Sequence, residues 1–217
     1  VVLVPLWGIW PSIKLIFLLH GFALAAPAIC VFGIARRLEA SKPAAFAWAI
    51  GYLAFPAVGQ FNLSYTYGWH PISFALPALF AMIWAVVSRR LWLALLCALV
   101  ACSFKETAIV AIACLSASAG LTSWLASRGD QRLEPFGILK PWQWFVASCC
   151  FAASFVIICK LSPFTDFQSG RFGGLGGSTT ELVVSPFTKP VMFFGEVFKT
   201  RSWFYVLALL IPLQFRP

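Results

Sequence analysis

Charge is what this sequence has least of. Its 16 basic and 7 acidic residues make up 11% of 217 positions, against 61% apolar ones, whereas a soluble domain carries roughly 25% charged residues. That shortage excludes a soluble globule. It is also arranged in blocks, because residues 15–35, 43–88, 107–127 and 141–159 contain no charge at all. About 20 apolar residues at a 1.5 Å rise cross a hydrocarbon core roughly 30 Å thick. Three of the four runs match one crossing each, and the run 43–88 is long enough to need a turn inside it.

Other absences narrow the class further. There are seven cysteines, all within or at the ends of apolar runs, but no CxxC and no Cys/His spacing, which argues against a zinc site or a disulfide framework. No cofactor is expected, and nothing supports a divalent metal. No alternating ten-residue strand pattern occurs, so the backbone groups must be satisfied within helices rather than in a barrel. No internal repeat is visible. The sequence opens on Val1, and its first segment is neither a signal peptide with a basic leading region nor a full span, so the chain reads as a piece of a longer one.

What remains is an all-α polytopic integral membrane bundle forming a single transmembrane domain over residues 1–217. Helical segments are expected at about Ser12–Arg37, Pro43–Ala57, Pro71–Ser88, Leu91–Cys102, Phe104–Ser127 and Pro141–Leu161. The last apolar run, 203–215, brings the expected count to about seven spans. Between them, 162–200 reads as an outer loop, Gly-rich and polar at first. An interfacial helix follows at 187–200, with Val191, Phe194, Val197 and Phe198 on one face and Lys189, Glu196 and Lys199 opposite. Pro43, Pro71 and Pro141 stand at expected helix starts, where the missing N–H costs nothing. Trp7, Trp10, Trp69, Trp92, Trp124, Trp142, Trp144 and Trp203 stand near expected helix ends, at headgroup level.

A net charge of +9 would suggest nucleic acid in a soluble protein. Here the basic residues cluster between apolar runs, so they set orientation instead. Alternating the spans gathers Arg36, Arg37, Lys42, Arg89, Arg90, Arg128, Arg132 and Lys140 on one side, the cytoplasmic one, of an inner (cell) membrane protein. The loop 58–70, the Lys105–Glu106 pair and the 162–200 segment then face out.

The chemically informative groups fall on that outer side. Lys105 and Glu106 are the only charged residues from 91 to 127, and an ionisable pair at membrane depth is a site candidate. Ser103-Phe104-Lys105-Glu106 also fits the capping box, in which Ser103 and Glu106 satisfy N–H groups at a helix start. His70, between Trp69 and Pro71, can cap the following helix, or bind phosphate or move a proton. Arg171 leads the run Phe172-Gly173-Gly174-Leu175-Gly176-Gly177-Ser178, which is either an anion site of freed backbone N–H groups beside a bidentate arginine or an exposed loop. No Gly-Lys-Ser/Thr follows, so it is not a nucleotide P-loop. His20, mid-helix, reads as a packed residue, and Asn62-Leu63-Ser64 as a weak glycosylation sequon.

The order Gly68-Trp69-His70-Pro71, Lys105-Glu106, Arg171-Phe172-Gly173, Leu175-Gly176 and Lys189-Pro190 resembles an uncharacterised family of bacterial polytopic membrane proteins, a domain of unknown function. That family is grouped with the GT-C glycosyltransferases, which take a sugar from a polyprenyl-phosphate donor at the outer membrane face. The chain departs from the family pattern at two places: Gly68 and Trp69 stand where the family has an acidic and an aromatic residue before the histidine, and Thr107 stands where it has an acidic one after Lys-Glu. The resemblance implies a GT-C-like fold, with membrane lipid and a polyprenyl-phosphate sugar as partners. It also implies a catalytic carboxylate in a first outer loop that would lie upstream of Val1, with Glu106 the candidate within this chain. Lys105, His70 and Arg171 would bind the substrate phosphate. The competing reading is a transporter or lipid-handling protein that uses the same Lys–Glu pair without glycosyl transfer.

Overall fold

The computed structural model describes residues 8, 10–55, 58, 72–128, 136–161, 174, 176 and 179–198. All regular structure among them is helical: α1 (Ile13–Ala25), α2 (Pro27–Arg37), α3 (Lys42–Leu53), α4 (Ile72–Val87), α5 (Leu91–Phe104), α6 (Thr107–Ala126), α7 (Pro141–Leu161), α8 (Thr179–Thr188) and α9 (Pro190–Val197). Three stretches are long and apolar enough to cross a membrane: Ile13–Arg37, Thr107–Ala126 and Pro141–Ile158. Helices α4 and α5 are apolar but shorter. The last apolar run, 203–215, lies outside the described residues. The chain divides into two compact units, Val1–Phe155 and Val156–Pro217.

Burial in the first unit is the reverse of a soluble core. Its fully enclosed positions are mostly alanines, among them Ala75, Ala85, Ala94, Ala98, Ala101 and Ala108, while Phe22, Ile29, Trp92 and Leu99 lie two-thirds or more exposed. Lipid tails are as apolar as leucine, so burying large side chains between membrane helices gains little. Small residues that allow close backbone approach drive association instead. Ala94, Ala98 and Ala101 form such a stripe on α5, facing Ala75, Ala78 and Ala85 of α4 in one cluster. Helix α4 is the hub, packing on α1, α2, α5 and α6. Gly33 of α2 belongs to the same scheme, because a Cβ there would stand 2.6 Å from Nε1 of Trp84.

The expected first span, found at Ile13–Arg37, is divided into α1 and α2 at one residue, Ala26, whose backbone angles stay helical. Pro27 cannot donate to the preceding turn, and α1 ends at Ala25 before α2 begins. Leu24, in the last turn of α1, offers its carbonyl to the Tyr52 hydroxyl of α3 at 3.0 Å. A second interhelical bond runs from Ser148 Oγ of α7 to the Ala113 carbonyl of α6, 2.9 Å.

Two tight hairpins turn at basic clusters. After α2, the Ala40 N–H reaches the Ala35 carbonyl at 3.0 Å, and after α4 the Arg90 N–H reaches the Ala85 carbonyl at 2.8 Å. Both are Schellman closures, which place the intervening residue in the left-handed region. Those residues are Glu39 (φ 66°) and Arg89 (φ 57°) rather than glycine. Arginines also cover the nearby aromatic rings, with Arg128 Cζ 3.9 Å from the Trp124 ring centre and Arg90 Cζ 5.9 Å from that of Trp84.

In the second unit α8 occupies part of the stretch expected to be loop, and α9 falls within the expected interfacial helix. Helices α8 and α9 pack on each other.

Candidate functional site

The site begins with a two-residue break between apolar helices. Helix α5 continues through Phe104, Lys105 is extended (φ −161°, ψ 141°), and Glu106 is the N-cap of α6. The carbonyls of Lys105 and Glu106 accept from the N–H groups of Ala108 and Ile109 at 3.0 and 3.1 Å, closing the first turn of α6. Both charged side chains are half-buried.

The expected capping box is not formed. Because α5 outlasts its expected end by two residues, Ser103 is still helical, and its hydroxyl donates to the Val100 carbonyl at 2.7 Å. Glu106 holds the N-cap position without a side-chain cap hydrogen bond. A serine inside a helix bonds back to the preceding turn, so S-x-x-E signals a helix start only where no helix is already running.

Aromatic packing brings a second segment to this break. The Phe74 ring, in the first turn of α4, stacks on that of Phe104 with centroids 5.8 Å apart and planes at 29°. Helix α4 therefore starts at the end of the bundle where Lys105 and Glu106 stand. Ser73 beside it is fully enclosed, and its hydroxyl has no hydrogen-bond partner among the described residues. Pro77 adds to the polar capacity here, since it lacks the N–H that would bond the Ser73 carbonyl one turn back.

Of the four expected site residues, Lys105 and Glu106 are thus adjacent at one helix break. His70 and Arg171 lie outside the described residues, as does the Asn62 sequon. His70 precedes Ile72, the first residue of α4, by two positions in sequence. His20 is enclosed on α1, which packs on α4, and its Nδ1 has no partner among the described residues. No group of three or more His, Cys, Asp or Glu gathers among the described residues to hold a metal ion.

Two members of the glycine run are described, both in the second unit. The Gly174 carbonyl accepts from Lys189 Nζ at 3.0 Å. A Cβ on Gly176 would lie 2.6 Å from Cβ of Glu181 and 3.2 Å from its backbone carbon, so glycine is needed there for close approach. Here glycine serves packing against α8. The Lys189 contact was not readable from spacing, because 15 residues separate donor and acceptor. Phe74 and Phe104 were missed for a similar reason: two phenylalanines among 22 carry no mark of pairing until the helices are placed.

No curated protein and no solved structure matches the chain. An apolar helical bundle with small residues inside and large ones outside fits a membrane location, and one family matches over residues 1–217 under the description "Predicted membrane protein (DUF2079)". The chain belongs to that family of membrane proteins.

Proposed function

We propose that the chain is a multi-pass inner-membrane protein of about seven spans and GT-C-like architecture. In this reading the Lys105–Glu106 break forms part of an outer-facing site that transfers a sugar from a polyprenyl-phosphate donor. The observation that supports it most is the stacking of Phe74 on Phe104, because the helix preceded by His70 then begins beside the Lys–Glu pair. Helix α5 has 14 residues and rises about 21 Å, short of the roughly 30 Å core. A pair at its end then stands just below the outer surface, beneath the level where a lipid-borne phosphate is found.

The chemistry assigned to the site is a single displacement. An acceptor hydroxyl attacks the anomeric carbon, its proton passes to the Glu106 carboxylate, and the bond from that carbon to the phosphate oxygen breaks. Polyprenyl phosphate leaves, and its charge is met by Lys105 and His70; Arg171, in the second unit, is the further cation that the resemblance implies. A positioned general base contributes typically 10²–10⁴-fold. The test is turnover of radiolabelled polyprenyl-phosphate sugar by the purified protein in liposomes. Loss of about a hundredfold or more in Glu106→Gln supports Glu106 as the base. Unchanged turnover in that variant removes it from the role.

One observation favours a second reading, transport or lipid handling without glycosyl transfer. A helix interrupted within the apolar layer, as Ile13–Arg37 is at Ala26–Pro27, is a common device of transporter binding sites. Passage of intact donor across the liposome membrane without cleavage would support that reading over transfer.

A further inference from the structure

At the opposite end of α6 from Lys105 and Glu106, two cavities share a wall. The first is a partly open crevice of about 160 Å³ between α4, α5, α6 and α7, lined by Ile83, Ala98, Leu115, Leu139, Ala147 and Phe151 among others. Its walls are apolar even where hydroxyls occur. Ser118 Oγ donates to the Cys114 carbonyl at 2.9 Å and Thr122 Oγ1 to the Ser118 carbonyl at 3.0 Å, each turned to its own helix. A cavity near 150 Å³ lined by aliphatic and aromatic groups stays dry and takes a benzene-sized apolar guest. This one is therefore matched to about six carbons of hydrocarbon chain.

The second cavity, about 380 Å³, is polar and is lined by Ser123, Ser127, Gly137, Leu139, Lys140 and Gln143 among others. Leu139 lines both. The shared wall is held in place: Trp144, enclosed in the core, donates its indole N–H to the Phe136 carbonyl at 3.1 Å, and the Lys140 N–H donates to Gln143 Oε1 at 2.9 Å. Lys140 brings a positive charge, and no acidic side chain lines the cavity among the described residues. Ser123 Oγ, also on this cavity, is enclosed with no partner among the described residues. The start of α7 adds the favourable end of a helix dipole to that charge.

We propose that these two partly open cavities, which adjoin at Leu139, bind one anionic phospholipid of the leaflet on the basic, cytoplasmic side. Its headgroup phosphate sits against Lys140 and Ser123, and the first carbons of an acyl chain lie in the crevice between Ala98, Leu115 and Ala147. Charge complementarity at Lys140 commits the site to an anionic headgroup, and the adjoining dry crevice commits it to a chain-bearing ligand rather than free phosphate. The site lies at the far end of α6 from the Lys105–Glu106 break and does not depend on glycosyl transfer.

The test uses the purified protein in liposomes doped with phosphatidylglycerol carrying a diazirine near about the sixth acyl carbon, or with phosphatidylcholine carrying the same chain. Photolysis and peptide mass spectrometry then locate the adducts. The expected result is labelling concentrated on Leu95, Leu115 and Phe151, stronger for phosphatidylglycerol by about fivefold, the order of one basic residue at an anionic surface. Lys140→Gln should bring phosphatidylglycerol labelling down to the phosphatidylcholine level. Ala147→Phe or Ser118→Leu, which fill the crevice from α7 or α6, should abolish adducts on Leu115 from either lipid. Labelling equal on Leu115 and on lipid-facing Leu99 and Ile29, unchanged by both fillings, would overturn the site. Equal labelling by the two lipids in the unaltered protein would overturn the headgroup assignment. Loss of the adducts when millimolar inorganic phosphate is present during photolysis would overturn the need for a chain-bearing ligand.

Discussion

Phe74 and Phe104 stack at 5.8 Å across the α4–α5 pair, tying the first turn of α4 to the residue before the Lys105–Glu106 break. Such a ring pair contributes about 0.5–1.5 kcal/mol beyond the area it buries. A double-mutant cycle with Phe74→Leu and Phe104→Leu, read by denaturation in detergent, should return a coupling of about 1 kcal/mol. Additive losses would mean that the rings do not hold these helix ends together.

Gly33 lies against Trp84, with no room for a side chain between them. Gly33→Leu should therefore separate α2 from α4 and cost about 1–3 kcal/mol as overpacking, measured as a lowered midpoint in the same denaturation. Gly21, which has open space around it, supplies the control: Gly21→Leu should leave the midpoint nearly unchanged.

The Tyr52 hydroxyl bonds the Leu24 carbonyl beside the Pro27 break, and its ring meets Phe80 edge-on at 5.3 Å. Tyr52→Phe keeps the ring contact and removes only the hydrogen bond. Interhelical bonds of this kind in membranes average about 0.6 kcal/mol and reach about 1.7, so the expected loss lies in that range. A much larger loss would show that the bond supports the break as a whole.

Much of the helical layout was legible in the sequence because proline and charge are unambiguous in an apolar chain. Pro141 and the clusters at Arg36–Arg37 and Arg89–Arg90 fix boundaries that the structure keeps within a few residues, and α7 has the bounds expected of it. The misreadings share a cause. Ser103–Glu106 satisfied a local start signal while α5 was still running, and the Thr179–Thr188 helix sat inside a stretch whose glycines suggested loop. Helix continuation depends on what the segment packs against, which local spacing does not contain. The candidate site divides in the same way. Lys105 and Glu106 stand out as isolated charges, whereas Phe74 and Ser73 gain meaning only once α4 is placed beside α5.

Glu39 adopts φ 66° at the α2–α3 turn, a conformation that costs a non-glycine residue roughly 1–2 kcal/mol. Glu39→Gly should relieve this strain, offset in part by the greater freedom of glycine in the unfolded chain. The expected result is a gain of up to about 1 kcal/mol in the denaturation midpoint, and a loss would mean that the Glu39 side chain contributes more than its backbone strain removes.

The outer-face reading of the Lys105–Glu106 break depends on which side of the membrane α6 begins, and one measurement addresses that directly. In a variant with its seven cysteines replaced, single cysteines at Lys105 and at Ser127 mark the two ends of α6, and intact cells are treated with a membrane-impermeant thiol reagent. The account predicts labelling of Lys105→Cys from outside, and labelling of Ser127→Cys only after the membrane is opened. Labelling of Ser127→Cys in intact cells, with Lys105→Cys protected until permeabilisation, would contradict it.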